Sequence, residues 1–314
     1  MGINLITYSS NYQNRAPIKQ VSFQMHLQEK QDLTSQWFKL LRDKICAEFE
    51  KIEEEFDQKN PGKFIRKNWQ RSDKSADGGS GEMSLMKGNV FEKVGVNFSK
   101  VYGEFSEEFR KEIPGADKNP QFWASGISLV AHMKSPLVPA VHMNTRFICI
   151  ANDLSRYAST GKTWFGGGAD LNPMFEVAQD TQDFHQAFKT ACDKAAPDYY
   201  EKYKKWCDEY FFIKHRGVAR GVGGIFYDYL NTDFEKDFEF TKNVGLSFLE
   251  IFPKLVRRHM HEKWTDEQRE HQLRKRGLYA EFNLIYDRGT KFGLMTGGNT
   301  EAILMSLPPV AKWD

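Results

Sequence analysis

Between Gly126 and Ile150 the chain reads GISLVAHMKSPLVPAVHMNTRFICI, and this stretch limits the possible folds more than any other. Side chains alternate between the two faces of a β-strand, so residues two apart share a face. A first strand then groups Ser128, Val130 and His132. A second groups His142, Asn144 and Arg146, with Val141, Met143, Thr145, Phe147 and Cys149 on the reverse. Lys134, Ser135, Pro136 and Pro139 interrupt the run, because proline has no ladder donor and marks strand ends. If the two strands pair, one sheet face carries a hydroxyl, two imidazoles, an amide and a guanidinium. Burying that face without a polar ligand is costly. A half-solvated antiparallel sheet shows the same alternation with no ligand at all. The stretch predicts a sheet with a candidate site on one face.

The 314 residues suffice for one large domain or two ordinary ones. At 40% hydrophobic and 27% charged the chain has an ordinary globular composition. A formal net charge of +2 is too balanced to favour nucleic acid as a partner. No apolar run approaches the roughly 18–20 residues that span a bilayer. Cys46, Cys149, Cys192 and Cys207 are scattered with no CxxC pair, so neither a zinc knuckle nor a disulfide framework is indicated and a reduced compartment is expected. MGINLITYSSNYQNRAP lacks a basic segment followed by an apolar one, and Ile6 stands where myristoylation needs Ser or Thr. The expected location is the cytoplasm.

Residues 1–26 read as an irregular arm and 27–314 as one domain. Leu33, Trp37, Leu40, Leu41, Ile45, Phe49, Ile52 and Phe56 recur at helical spacing over 27–57. Phe64–Arg71 and Val90–Phe98 read as strands, and the polar, glycine-rich Ser72–Gly81 as the loop between them. Gly161-Lys162-Thr163 would suit a phosphate loop, but Arg156 occupies the position that needs glycine, so residues 152–162 read as a turn. Trp164-Phe165-Gly166-Gly167-Gly168-Ala169-Asp170 suggests backbone brought close to something flat or bulky. Helices are expected over 176–194, 197–213 and 241–262, and a further one opens at a Thr265–Gln268 capping box and stops near Gly277. Gly221-Val222-Gly223 precedes a strand, Ile225–Leu230, the reverse of a dinucleotide fingerprint. Tyr279–Leu294 alternates and reads as a hairpin turning at Asp287–Thr290, before a short helix that ends ahead of Pro308.

His132, His142, His185 and His215 could make a metal site, although none has HExxH spacing. Arg146, Arg216, Arg220 and Arg288 lie in polar, glycine-flanked contexts. Arginine binds carboxylates through two parallel hydrogen bonds, so these suit a flat polycarboxylate. No flavin, nicotinamide, haem or iron–sulfur signature appears.

SLVAH with VHMNTRF, WFGGGADLNP, HRGVARGVGGIFYDYL and YAEFNLIYDRGTKFGLMTGGNTEAILMSLPP together resemble the oxygen-dependent coproporphyrinogen III oxidases, over roughly residues 30–314. The resemblance implies an α+β fold, a single large antiparallel sheet flanked by helices on both faces, and a homodimer. It implies oxidative decarboxylation of two propionates of coproporphyrinogen III to vinyl groups in haem biosynthesis, giving protoporphyrinogen IX. Dioxygen is the co-substrate, and carbon dioxide and hydrogen peroxide leave. By resemblance His142 is the proton donor, and Asp287 and Arg288 meet the pyrrole N–H groups and a propionate. Ser128, Asn144, Thr145, Arg146, Gly297, Gly298 and Asn299 match substrate-binding positions. Asn299 departs from a family pattern that often has arginine there. Some relatives are described with a divalent metal at positions matching His132, His142, His185 and His215, others with no metal or organic cofactor. Two alternatives stay open: a metal-dependent oxygenase or hydrolase on the four histidines, and a non-catalytic tetrapyrrole carrier.

Overall fold

Apolar alternation on consecutive strands forces a sheet with one packed face, and seven strands form it here. The computed structural model describes residues 25–73, 76–105, 107–111, 113, 115–151, 162–295 and 298–313. In chain order the elements are α1 (Leu27–Phe56), β1 (Ile65–Asp73), β2 (Ala76–Met86), β3 (Phe91–Glu104), α2 (Glu107–Arg110), β4 (Gln121–Met133), β5 (Ala140–Ala151) and β6 (Lys162–Asn172). Then come α3 (Ala178–Asp193), α4 (Tyr199–Tyr210), β7 (Phe212–Ile213), β8 (Val218–Ala219), β9 (Gly223–Leu230), α5 (Phe234–His259), α6 (Asp266–Ile285), α7 (Arg288–Met295) and α8 (Thr300–Leu304). The sheet runs β1-β2-β3-β4-β5-β6-β9, antiparallel throughout, and β7 and β8 form a separate small ribbon.

One face of the sheet carries the main core. Val94, Val96, Ile127, Leu129, Val141, Met143, Phe147, Ile225 and Tyr227 pack there against Phe38, Leu41, Ile45, Phe49 and Ile52 of α1 and Val244, Phe248 and Phe252 of α5. Leu33 and Leu40 lie one position outside the buried stripe of α1 and remain exposed, at 41% and 48%. On the opposite face Phe226 packs with Cys207 and Phe211, at the end of α4, and with Phe282 of α6. Helices therefore cover both faces, as the α+β expectation has it.

Glu53, fully buried on α1, fixes the approach to β3. Its carboxylate accepts the backbone N–H groups of Gly62, Asn89, Val90 and Phe91 at 2.7–3.4 Å. Buried backbone donors need such partners.

Three readings need correction. Tyr279–Leu294 is not a hairpin: α6 continues to Ile285 and α7 follows from Arg288. The buried positions Leu273, Arg276, Tyr279, Ala280, Phe282 and Asn283 keep helical spacing, and the backbone of Lys312 packs over Gly277 instead of a helix end. Residues 76–81 are strand β2, not loop, and their glycines leave room for Trp69 and Arg71 of β1 to lie across them. Helix α5 begins at Phe234, capped by Asp233, whose side chain accepts from the Lys236 N–H. The arm up to residue 24 and the turn over 152–161 lie outside the described residues.

His132 sits on β4 with 1% of its surface exposed, and its Nε2–H donates to the Ser306 carbonyl at 2.9 Å. Burial pushes its imidazole down to about 3, with the nearby Arg276 charge acting in the same direction. The unfolded chain therefore takes up a proton near pH 6.5 that the folded chain refuses until about 3. The stability this neutral ring contributes is complete above pH 6.5 and is lost as pH falls toward 3. Denaturant unfolding between pH 7 and 4 should show His132→Gln with a slope flatter by about 1.4 kcal/mol per pH unit than the parent. Equal slopes would contradict this origin of acid sensitivity.

Candidate functional site

The pairing of β4 with β5 sets Ser128 opposite Asn144, Val130 opposite His142 and Gly126 opposite Arg146. The polar face predicted from alternation is real, and β6 and β9 extend it. His142 faces Asp170 across the β5–β6 ladder. Arg146 faces Gly166, where a Cβ would come within 2.9 Å of the guanidinium. The Arg146 guanidinium and the Asp228 carboxylate lie against Gly166 of this glycine-rich strand.

These side chains form one chain of hydrogen bonds. Arg146 donates to Asn144 Oδ1 at 2.9 Å. Asn144 Nδ2 donates to His142 Nε2 at 3.0 Å, which assigns the Nδ1–H tautomer to His142, and Nδ1–H donates to Asp170 at 2.8 Å. Asp170 is held from beneath by Arg220, bidentate at 2.7 and 3.1 Å. Burial alone would raise the Asp170 carboxyl, but the Arg220 charge and the bond from His142 outweigh it and hold it at about 2. The Arg220 guanidinium lies 4.0 Å from the Phe211 ring centre, 4.6 Å from Phe282 and 4.7 Å from Tyr279. It is therefore a buried support for the imidazole's partner.

A second group lies beside it. Gly166 of β6 faces both Asp228 and Tyr229 of β9, because the register shifts between Phe165 and Gly167. The bulge brings Tyr229 beside Asp228 on the cavity side, and Tyr229 has φ 55°, an uncommon value for a bulky residue. Asp228 Oδ2 pairs with Arg146 at 2.8 Å and lies 3.6 Å from Arg288. Its Oδ1 accepts from Trp164 Nε1 and the Tyr229 N–H. Arg288 donates to the Tyr229 hydroxyl at 2.9 Å, and its side chain is 42% exposed. Asp287 caps α7: Oδ2 accepts from Thr290 N–H and Oγ1, and Oδ1 from the Tyr210 hydroxyl.

Of these residues, Tyr210, Asp228 and Tyr229 line one cavity of about 350 Å³, within the usual range for ligand sites. His142, Asn144, Arg146, Ser128, Asp287 and Arg288 share it, together with Gly298 and Asn299. Asn299 is also the N-cap of α8, accepting from the Ala302 N–H. Gly297 lies outside the described residues. Thr145 is a correction: it lies on the reverse face, fully buried, as alternation requires, so its side chain does not face the cavity. Arg216 pairs with Glu281 on the surface instead of serving the cavity.

The four histidines do not assemble. His132 is bonded to Ser306, His142 to Asp170, His185 to the Val222 carbonyl and Tyr200, and His215 to Glu281 and Tyr286. Among the described residues no three His, Cys, Asp or Glu side chains are placed to hold one metal ion, so these residues do not fit a four-histidine centre. Sequence reasoning missed Asp228, Asp170 and Tyr210. Extending the alternation to β6 and β9 would have found the first two.

The chain matches the family model described as coproporphyrinogen III oxidase over residues 33–314. It belongs to the coproporphyrinogen III oxidase family. Among its relatives is an oxygen-dependent coproporphyrinogen-III oxidase from Rickettsia akari (strain Hartford), 59% identical over 290 residues that cover 91% of this chain and 99% of the relative. Another, from Rickettsia bellii (strain OSU 85-389), carries the same description and is 58% identical over 289 residues with the same coverage. The family match thus spans every residue that lines the cavity, from Trp69 to Ser306.

Proposed function

We propose that the protein catalyses the oxygen-dependent oxidative decarboxylation of two propionates of coproporphyrinogen III, giving protoporphyrinogen IX. The observation that carries this is one cavity that gathers Arg146, Arg288, Asp287 and His142 in a chain of this family. For each propionate, the methylene beside the ring gives a hydride equivalent to dioxygen. The carbon–carboxylate bond then breaks, its electron pair forms the vinyl group, and carbon dioxide leaves. Dioxygen with that hydride and one proton becomes hydrogen peroxide. A reduced tetrapyrrole is electron-rich, so the protein's task is to hold it and move protons. The reading therefore takes dioxygen as co-substrate and needs no organic cofactor.

Arg146 and Arg288 are proposed to clamp the propionates, because Asp228 offsets only one of their two charges. Asp287 is proposed to accept from the pyrrole N–H groups, since both its oxygens are fixed while its face lines the cavity. His142 is proposed to handle the proton through Nε2, which Asn144 already orients. Ser128, Gly298 and Asn299 would contact the substrate from the walls. A cytoplasmic homodimer is the proposed working form. All four cysteines are buried and free, and among the described residues no helix is long and apolar enough to cross a membrane.

The test is a product assay with coproporphyrinogen III under air and under nitrogen. Two equivalents of carbon dioxide and protoporphyrinogen IX should form only under air. Binding without carbon dioxide release would make the protein a carrier.

A further inference from the structure

The cavity extends beyond the polar group to an apolar end walled by Phe105, Phe122, Ile148 and Phe292. The Arg71 guanidinium reaches that end from the far edge of the sheet. Arg71 lies on β1, the outermost strand, yet is only 7% exposed. Gln70 pairs with Ser80 and Ser72 with Asp77, so Gly78 and Gly79 of β2 both face Arg71. Such a bulge twists a strand and redirects the side chains beside it. A Cβ on Gly78 would meet Arg71 Cγ at 3.2 Å, and one on Gly103 of β3 would lie 3.5 Å from Nη1. The side chain thus crosses two strands along a path without side chains. It ends 5.4 Å from the ring centre of Phe122 on β4, with Nη1 donating to the Tyr102 carbonyl at 2.9 Å. A surface arginine requires neither the bulge nor the glycine path.

Phe122 pairs with Ile150, four residues along β5 from Arg146. Four residues and one strand spacing put the two backbone positions roughly 14 Å apart. A small monocarboxylate cannot bridge that separation, whereas a macrocycle with carboxylates at separate corners can.

We propose that Arg71 is a second carboxylate station, binding a propionate remote from the one that reacts. The two ends of the cavity then select a tetrapyrrole whose acidic groups are widely spaced. This rests on the porphyrinogen reading given above. Arginine beside an aromatic ring and shielded from water binds carboxylate more strongly than at the surface.

Steady-state turnover of coproporphyrinogen III by the full chain tests it, with Arg71→Met and Arg71→Lys beside the parent. Arg71→Met should raise KM on the order of 10- to 100-fold, the loss expected for a charged hydrogen bond, while kcat stays within about threefold. Arg71→Lys, which keeps the charge but loses the fork, should raise KM less. Thermal melts check that each variant folds. An active parent with both variants within twofold of its KM would overturn the proposal alone. So would a fall in kcat at unchanged KM, or failure of both variants to fold. An inactive parent would overturn the functional reading itself and the proposal with it.

Discussion

Asp287→Asn should lower turnover of coproporphyrinogen III by about a thousandfold, the middle of the range for losing a general acid or base. The substitution separates two roles of one side chain. Asp287 caps α7 through the Thr290 N–H, and asparagine caps helices about as well as aspartate. The fold should therefore hold, with a change in unfolding free energy of about 1 kcal/mol or less. The amide cannot carry the negative charge that accepts from pyrrole N–H groups and stabilises positive charge on an oxidised ring. Substrate binding should change less than turnover, because Arg146, Arg288 and the cavity walls are untouched. Rapid-quench turnover and a denaturant melt measure the two effects. Unchanged turnover would remove Asp287 from the mechanism, and a collapsed melt would make it only a cap.

The site was legible where polarity and strand period reinforced each other. On β5 every second residue from His142 to Arg146 is polar and every residue between is apolar or small, so the face could be assigned from the sequence. The same alternation placed Thr145 on the reverse side, against its place in the family's substrate triplet, and the buried hydroxyl follows the alternation. Tyr229 was hidden because its direction depends on a bulge, and a one-residue register shift leaves no compositional trace. Arg71 was hidden for a related reason, since the glycines that let it cross the sheet resemble a loop. Tyr279–Tyr286 was misread because a run of eight residues satisfies both a two-residue and a helical repeat. Only the packing of Phe282 against Phe211 and Phe226 decides between them.

Arg220→Met should cost about 3–5 kcal/mol of stability, the usual loss when one partner of a buried ion pair is removed. Asp170 would remain 1% exposed with only His142 and Asn172 to hold its charge. Without Arg220 its carboxyl should rise from about 2, where it now contributes stability above pH 3.8 that is lost as pH falls through 2. The acid limb of the stability profile should therefore move upward in pH. Turnover should fall too, because Asp170 accepts the His142 Nδ1–H and so keeps Nε2 as the acceptor facing the cavity. The double variant Asp170→Asn/Arg220→Met separates the effects. Methionine fits against Phe211, Tyr279 and Phe282, and a neutral amide no longer needs a counter-charge. Much of the stability should return in the double variant, by the known tolerance of buried pairs for apolar replacement. Turnover should not return, because an amide does not hold the imidazole as the carboxylate does. If the double variant regains both, the pair acts only through the fold, and the imidazole does not depend on its partner.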